Sequence, residues 1–117
     1  MACGTDSKII MKTIIKYLDL LQQNNISFEQ VYLYGSYAKG NSKEDSDIDL
    51  AIVAKEWLPD IFEAQFRLMK LGRRIDTRIE PHPIRKSDFD KTNPYAGEIL
   101  RTGKRIKRQN KITNKED

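Results

Sequence analysis

Two aspartates one residue apart, Asp47 and Asp49, bracket a single isoleucine and lead into an apolar run, Leu50-Ala51-Ile52-Val53. Residues i and i+2 of a strand project from the same face. This spacing sets two carboxylates side by side and turns Ile48 toward a core. Adjacent carboxylates repel and raise each other's pKa, and a divalent cation removes that conflict. Mg²⁺ takes oxygen ligands, commonly one or two carboxylates together with substrate phosphates. Upstream, separated from Asp47 by residues 37–46, stands Gly35-Ser36. A glycine lets backbone approach a phosphate closely. The serine hydroxyl and the N–H groups of a tight turn can donate to phosphate oxygens. A short helix opening through Tyr37 and Ala38 would add its dipole, and Lys39 a positive charge beside the same anion. Taken singly, Gly-Ser is a common turn and Asp-x-Asp a common solvated strand edge; their combination carries the reading.

These groups need elements to hold them. From Lys8 to Asn24, Ile10, Ile14, Tyr17, Leu18 and Leu21 recur at helical spacing, which predicts an amphipathic helix. Ser7 or Asp6 is its candidate cap, and Asn24-Asn25 its end. Val31 to Tyr34 is β-branched, aliphatic or aromatic and stops at Gly35, as a short strand would. Gly40-Asn41-Ser42 signals a loop, and a second strand starts near Asp47. Pro59 suits the first turn of a second helix. Leu58, Phe62, Phe66 and Met69 are expected as its apolar stripe and Gly72 as its end. Arg74 to Glu80 alternates as a third strand, Ile75, Thr77 and Ile79 on one face and Asp76, Arg78 and Glu80 on the other. Pro81 and Pro83 are expected to end it. A last helix spans about Pro94 to Arg101 behind Asn93. The order helix, strand, strand, helix, strand, helix predicts an α+β fold, a mixed β-sheet with helices packed mainly on one face.

Gly35-Ser36 followed by Asp47-Ile48-Asp49-Leu50 resembles the signature of the DNA polymerase β-type nucleotidyltransferase superfamily. The short chain is similar to its minimal nucleotidyltransferase branch, which includes MntA-type antitoxins, and the likeness runs from about Lys8 to Arg105. It implies the nucleotidyltransferase fold and a third acidic residue on a neighbouring strand. By the family's apolar-Asp-apolar pattern that residue is Asp76, with Glu80 as the alternative; Thr77 departs from the pattern. The resemblance also implies two Mg²⁺ ions on Asp47, Asp49 and Asp76, and ATP or another nucleoside triphosphate as substrate. The expected reaction moves a nucleoside monophosphate, AMP from ATP, to a protein or RNA hydroxyl and releases pyrophosphate. A HEPN-type helical protein is the implied partner, as in a toxin-antitoxin pair. A domain this small has little surface for an acceptor, which a partner or a second copy would supply. The competing reading is an inactive module that binds a nucleotide or a partner.

The 117 residues suffice for one domain. The expected division is a nucleotidyltransferase domain over 1–105 and a basic, disordered tail over 106–117. Lys104, Arg105, Lys107, Arg108, Lys111 and Lys115 crowd this end within a net charge of +4. Such a tail can hold nucleic-acid phosphates, but no aromatic residue is interleaved to stack a base, and a solvated end is the preferred reading. The lone Cys3 cannot form an internal disulfide, which fits a cytoplasmic setting. No apolar run reaches a membrane-spanning length of about 20 residues. His82, between two prolines, reads as a rigid loop residue and Trp57 as packing at a helix start. Tyr34 and Tyr37, flanking the Gly-Ser turn, are candidate pocket walls. Arg78 is open between a triphosphate contact and a counter-charge for the acids.

Overall fold

The computed structural model describes residues 3–40 and 46–107, with side chains from Lys8 onward. Among these described residues four helices, four strands and a short 3-10 turn follow one another. They are α1 (Cys3–Gln23), β1 (Gln30–Tyr34), α2 (Ser36–Lys39), β2 (Ile48–Ala54), α3 (Ile61–Ile75), β3 (Ile79–Arg85), α4 (Pro94–Thr102) and β4 (Lys104–Arg105), with the turn at Lys86–Asp88. The strands form one mixed sheet in the order β3-β2-β1-β4. β2 runs parallel to β3, while β1 is antiparallel to both β2 and β4.

Alternation along the strands sorts side chains between two faces. Ile48, Leu50 and Ile52 from β2 and Val31 and Leu33 from β1 meet Ile14, Tyr17, Leu18 and Leu21 of α1 and Leu68 of α3 in the main core. Ala51 and Val53 look the other way, against Ile84 and Ile99. The mixed sheet and α+β class are thus as expected. α1 and α3 cover one face, and the short α4 covers part of the other. The α1 stripe is also as read, since its five apolar residues are all buried. Asn25 ends that helix with a positive φ of 62°, a conformation asparagine tolerates better than most side chains.

Four expectations need correction. α1 starts at Cys3, so Asp6 and Ser7 lie inside it and do not cap it. α3 starts at Ile61 behind Asp60, whose carboxylate accepts from the N–H groups of Phe62 and Glu63 at 2.9 Å. Pro59 therefore precedes the helix. The buried face of α3 is Ala64, Leu68 and Gly72; Leu58, Phe62 and Phe66 are 72, 83 and 62% exposed. The helix is rotated from the face that the aromatic residues suggested. Leu68 meets the core, and Gly72 does not end the helix. Its missing side chain admits Tyr17 and Ile79, which would stand 3.5 and 3.2 Å from an added β-carbon.

The third strand is displaced along the chain. α3 continues to Ile75, and β3 begins only at Ile79 and runs through Pro81 and Pro83. Prolines are tolerated there because β3 is an edge strand, where a missing N–H breaks no ladder. Side chains from elsewhere occupy two of its carbonyls. Gln65 Nε2 donates to Pro81 O at 2.8 Å, and Trp57 Nε1 donates to Ile84 O at 3.1 Å. Trp57 is buried, in keeping with its packing role.

At the C-terminal end the chain stays attached past Gly103. Lys104 and Arg105 pair with β1, Ile106 donates from its N–H to Val31 O at 2.8 Å, and its side chain is buried. Arg108, Lys111 and Lys115 lie outside the described residues, as do Asn41 and Ser42 of the expected loop.

Candidate active site

β2 opens at Ile48, which places Asp47 at the head of the strand and Asp49 on its second residue. Ile48 is fully buried, Asp47 is exposed and Asp49 is partly buried. The register sets Asp49 opposite Tyr34 of β1 and opposite Glu80 of β3. Directly paired residues of neighbouring strands share a face, so one row of the sheet reads Tyr34, Asp49, Glu80. Burial raises the pKa of Asp49. His82 pulls it back down, and the negative charges of Asp47 and Glu80 push it further up. The second carboxylate on the Asp49 row is therefore that of Glu80.

Gly35 makes the close approach possible. Its backbone, with φ 78° and ψ −149°, lies in a region that is essentially closed to other residues. An added β-carbon would stand 2.4 Å from Asp49 Oδ2. The turn after β1 thus presses its backbone against the carboxylate. Ser36, the next residue, opens the four-residue α2, and Lys39 closes it. Lys39 Nζ lies 4.0 Å from Glu98 Oε2 of α4, so this lysine leans toward α4.

Asp76 stands elsewhere. It is the residue after α3, and its carboxylate is taken up by Arg78. Oδ1 accepts from the Arg78 N–H at 2.9 Å and from Nε at 3.0 Å; Oδ2 accepts from Nη2 at 2.8 Å. The hydrogen bonds from Arg78 hold its pKa below the usual carboxylate range, against a smaller effect of burial. Because the strand begins after it, Asp76 does not share the sheet row with Asp49, and Glu80 does. Among the described residues Glu80 has no ion-pair partner, and Arg78 serves Asp76 as its counter-charge.

Two further residues lie on this face: His82, which belongs to β3 and not to the rigid loop expected for it, and Tyr95, which the sequence did not single out. His82 follows Glu80 at the i+2 position of β3, and its ring centre lies 5.9 Å from that of Tyr34. Tyr95 of α4 reaches across so that its hydroxyl is 2.5 Å from the Tyr34 hydroxyl, with the rings edge to face. The period-2 pattern Glu80-Pro81-His82 would have revealed His82 had the prolines been read as edge-strand residues. No local signal ties Tyr95 to Tyr34, which is 61 residues away.

The donor set fits a divalent cation. It consists of hard carboxylate oxygens, the type that suits Mg²⁺, and Asp49 is partly desolvated next to two like charges. Among the described residues no three His, Cys, Asp or Glu side chains are already gathered as a cluster for an ion. The fit rests on the Asp49–Glu80 register, with Asp47 at the strand head.

The sequence model for the polymerase beta nucleotidyltransferase family matches residues 12–112. The chain belongs to that family. Within it, the chain is 33% identical over 73 residues to the protein adenylyltransferase MntA of Shewanella oneidensis. That match takes in 62% of this chain and 51% of MntA, so the chain spans about half the length of that curated relative. Among solved structures, one of a toxin-antitoxin with AMP-PNP is 28% identical, with a TM-score of 0.59 over 83% of this chain and 72% of that one. A Sulfolobus solfataricus nucleotidyltransferase-fold structure, at 19% identity, has a TM-score of 0.59 over 75% of this chain and 78% of that one, a likeness of fold alone. No helix among the described residues of this nucleotidyltransferase-family chain is long and apolar enough to cross a membrane.

Proposed function

We propose that the chain is an adenylyltransferase that moves AMP from ATP to a hydroxyl group of a protein, with Asp47, Asp49 and Glu80 as the residues that would hold two Mg²⁺ ions. The observation that carries this reading is the row in which Asp49 and Glu80 are adjacent while the Gly35 backbone abuts the Asp49 carboxylate. A phosphate chain lying along the Gly35-Ser36 turn would there meet the carboxylates and their cations together. Glu80 takes the role that the family pattern gave to Asp76, because Asp76 is committed to Arg78.

Bound divalent ions would screen the triphosphate charge, acidify the acceptor hydroxyl and stabilise the departing pyrophosphate. The chain's own contribution is positional. Gly35 keeps the turn close to Asp49. Ser36 would donate to a phosphate oxygen, and Lys39 would supply a positive charge at the outer end of the same helix. Glu80, aligned with Asp49, would take the acceptor proton. The choice of ATP and of a protein acceptor is supported by the name of the Shewanella relative and by the AMP-PNP in the similar toxin-antitoxin structure. The same likeness supports a toxin protein as acceptor and partner; that it is of the HEPN type is what the family resemblance implies.

The test is incubation of the chain with α-labelled ATP, Mg²⁺ and a candidate helical toxin protein. Covalent label on the toxin, lost with Asp49→Asn and with Glu80→Gln, is the expected result. Stoichiometric neutralisation of the toxin without label would replace this reading with that of an inactive binding module.

A further inference from the structure

The turn between α3 and β3 holds the two arms of the candidate site together through one residue. Among the described residues Arg78 makes contacts in three directions. Its guanidinium is fixed by Asp76 through Nε and Nη2, at 3.0 and 2.8 Å. Its Nη1 donates to the Tyr37 hydroxyl at 3.2 Å. Its carbonyl accepts the N–H of Ile48 at 2.8 Å. Tyr37 is the residue next to Ser36 in α2, and Ile48 is the residue between Asp47 and Asp49. A single side chain and its own backbone therefore bridge the phosphate turn and the carboxylate strand.

We infer that Arg78 is a positioning residue that sets the spacing between the Gly35-Ser36 turn and the Asp47–Asp49 strand, with Asp76 as its anchor. The physical basis is stiffness. α2 has only four residues and none of them is fully buried, so its own hydrogen bonds hold it weakly. The Asp76–Arg78 pair is a charge-assisted, two-pronged contact, with side chains 20 and 28% exposed. Such a planar fork fixes direction as well as distance. Anchored in this way, Nη1 restrains Tyr37, and Tyr37 in turn restrains the turn that begins one residue earlier. This accounts for an acid at position 76 that is not on the Asp49 row: it orients the arginine and does not bind a metal ion.

The inference rests on the nucleotide-binding reading above, and the test separates the two. The full chain would be compared with Tyr37→Phe, Arg78→Lys, Arg78→Gln and Asp76→Asn. Affinity for ATP with Mg²⁺ is measured by calorimetry, affinity for Mn²⁺ alone by electron paramagnetic resonance, and folding by Tm. Tyr37→Phe removes only the hydroxyl that Nη1 reaches and leaves the ring packing in place. It is expected to weaken Mg·ATP binding about tenfold, the scale of one lost hydrogen bond, with little change in Tm. Arg78→Lys keeps part of the effect and Arg78→Gln loses it. Asp76→Asn weakens Mg·ATP binding while Mn²⁺ affinity stays at the wild-type value, and in combination with Arg78→Gln the two losses do not add. In turnover the KM for ATP rises more than kcat falls. Folded Tyr37→Phe and Arg78→Gln proteins that bind Mg·ATP within about twofold of wild type, or an Asp76→Asn protein that has lost Mn²⁺ binding, would overturn the inference alone. A wild-type chain that binds no Mg·ATP would overturn the nucleotide reading and this inference with it.

Discussion

A β-carbon on Gly35 would stand 2.4 Å from the Asp49 carboxylate oxygen. No side chain fits between that turn and that acid, and the φ of 78° at Gly35 excludes most side chains independently. Gly35→Ala should therefore cost about 1–3 kcal/mol of stability from backbone strain and displacement of Asp49. Its effect on nucleotide binding should be larger than its effect on Tm. Calorimetric titration with Mg·ATP beside a thermal melt checks this, and an alanine variant that binds as wild type does would contradict it.

Asp49 illustrates a site that works against the fold. Burial and the charges of Asp47 and Glu80 raise its pKa despite the opposing pull of His82. A carboxyl with a raised folded-state pKa lowers stability once pH passes its unfolded value, about 3.9. The penalty grows until pH exceeds the folded value and then stays constant. Asp49→Asn should therefore melt above wild type at pH 7 in metal-free buffer, with the gap closing at pH values below the unfolded pKa. Added Mg²⁺ should raise the wild-type Tm and leave that of the variant in place, while transfer activity is lost.

Asp76 has the opposite sign. Hydrogen bonds from Arg78 lower its pKa, so its contribution to stability is present above the unfolded pKa and disappears as pH falls through the folded one. Asp76→Asn should cost about 1 kcal/mol at pH 7, a figure kept low because the pair is partly solvated. Denaturation at pH 7 and again in strong acid should show the deficit shrinking. Glu80→Gln should remove activity with little loss of stability, because no ion pair is broken. A Glu80→Gln chain with full transfer would return the third carboxylate to Asp76.

The rotation of α3 gives a contrast between neighbours on one helix. Leu68 is fully buried, while Phe62 and Phe66 are exposed. Leu68→Ala should cost about 2–5 kcal/mol. Phe62→Ser and Phe66→Ser should each stay within about 0.5 kcal/mol, as exposed substitutions do. Urea melts of the three variants decide it, and a large loss at Phe66 would mean the helix sits in the other phase.

Much of the site could be read from residue order. The Asp47-Ile48-Asp49 alternation placed Ile48 in the core and its neighbours outside, since a two-residue period is a local property of extended backbone. Gly35 announced itself because few other residues adopt its backbone conformation. The α1 stripe was equally legible, being a long and regular repeat. α3 misled for the converse reason. Its phase depends on which side chains the sheet accepts, and Phe62 and Phe66 are apolar without being covered. Helical spacing identifies a face and does not say what packs on it.

Which acid lies beside Asp49 was beyond local reading. Asp76 and Glu80 are both acidic, both flanked by isoleucine, and separated by one helical turn or two strand periods. Two non-local facts chose between them. α3 continues to Ile75, which delays the strand, and β3 lies at the sheet edge, where prolines 81 and 83 break no ladder. Once the strand spans Ile79–Arg85, parallel pairing with β2 aligns Glu80 with Asp49 and leaves Asp76 to Arg78. Residue types and short spacings carried the chemistry of the site. Which carboxylate lies beside Asp49 was decided by strand pairing across the sheet, because hydrogen-bond register is a relation between distant segments and has no trace in either one alone.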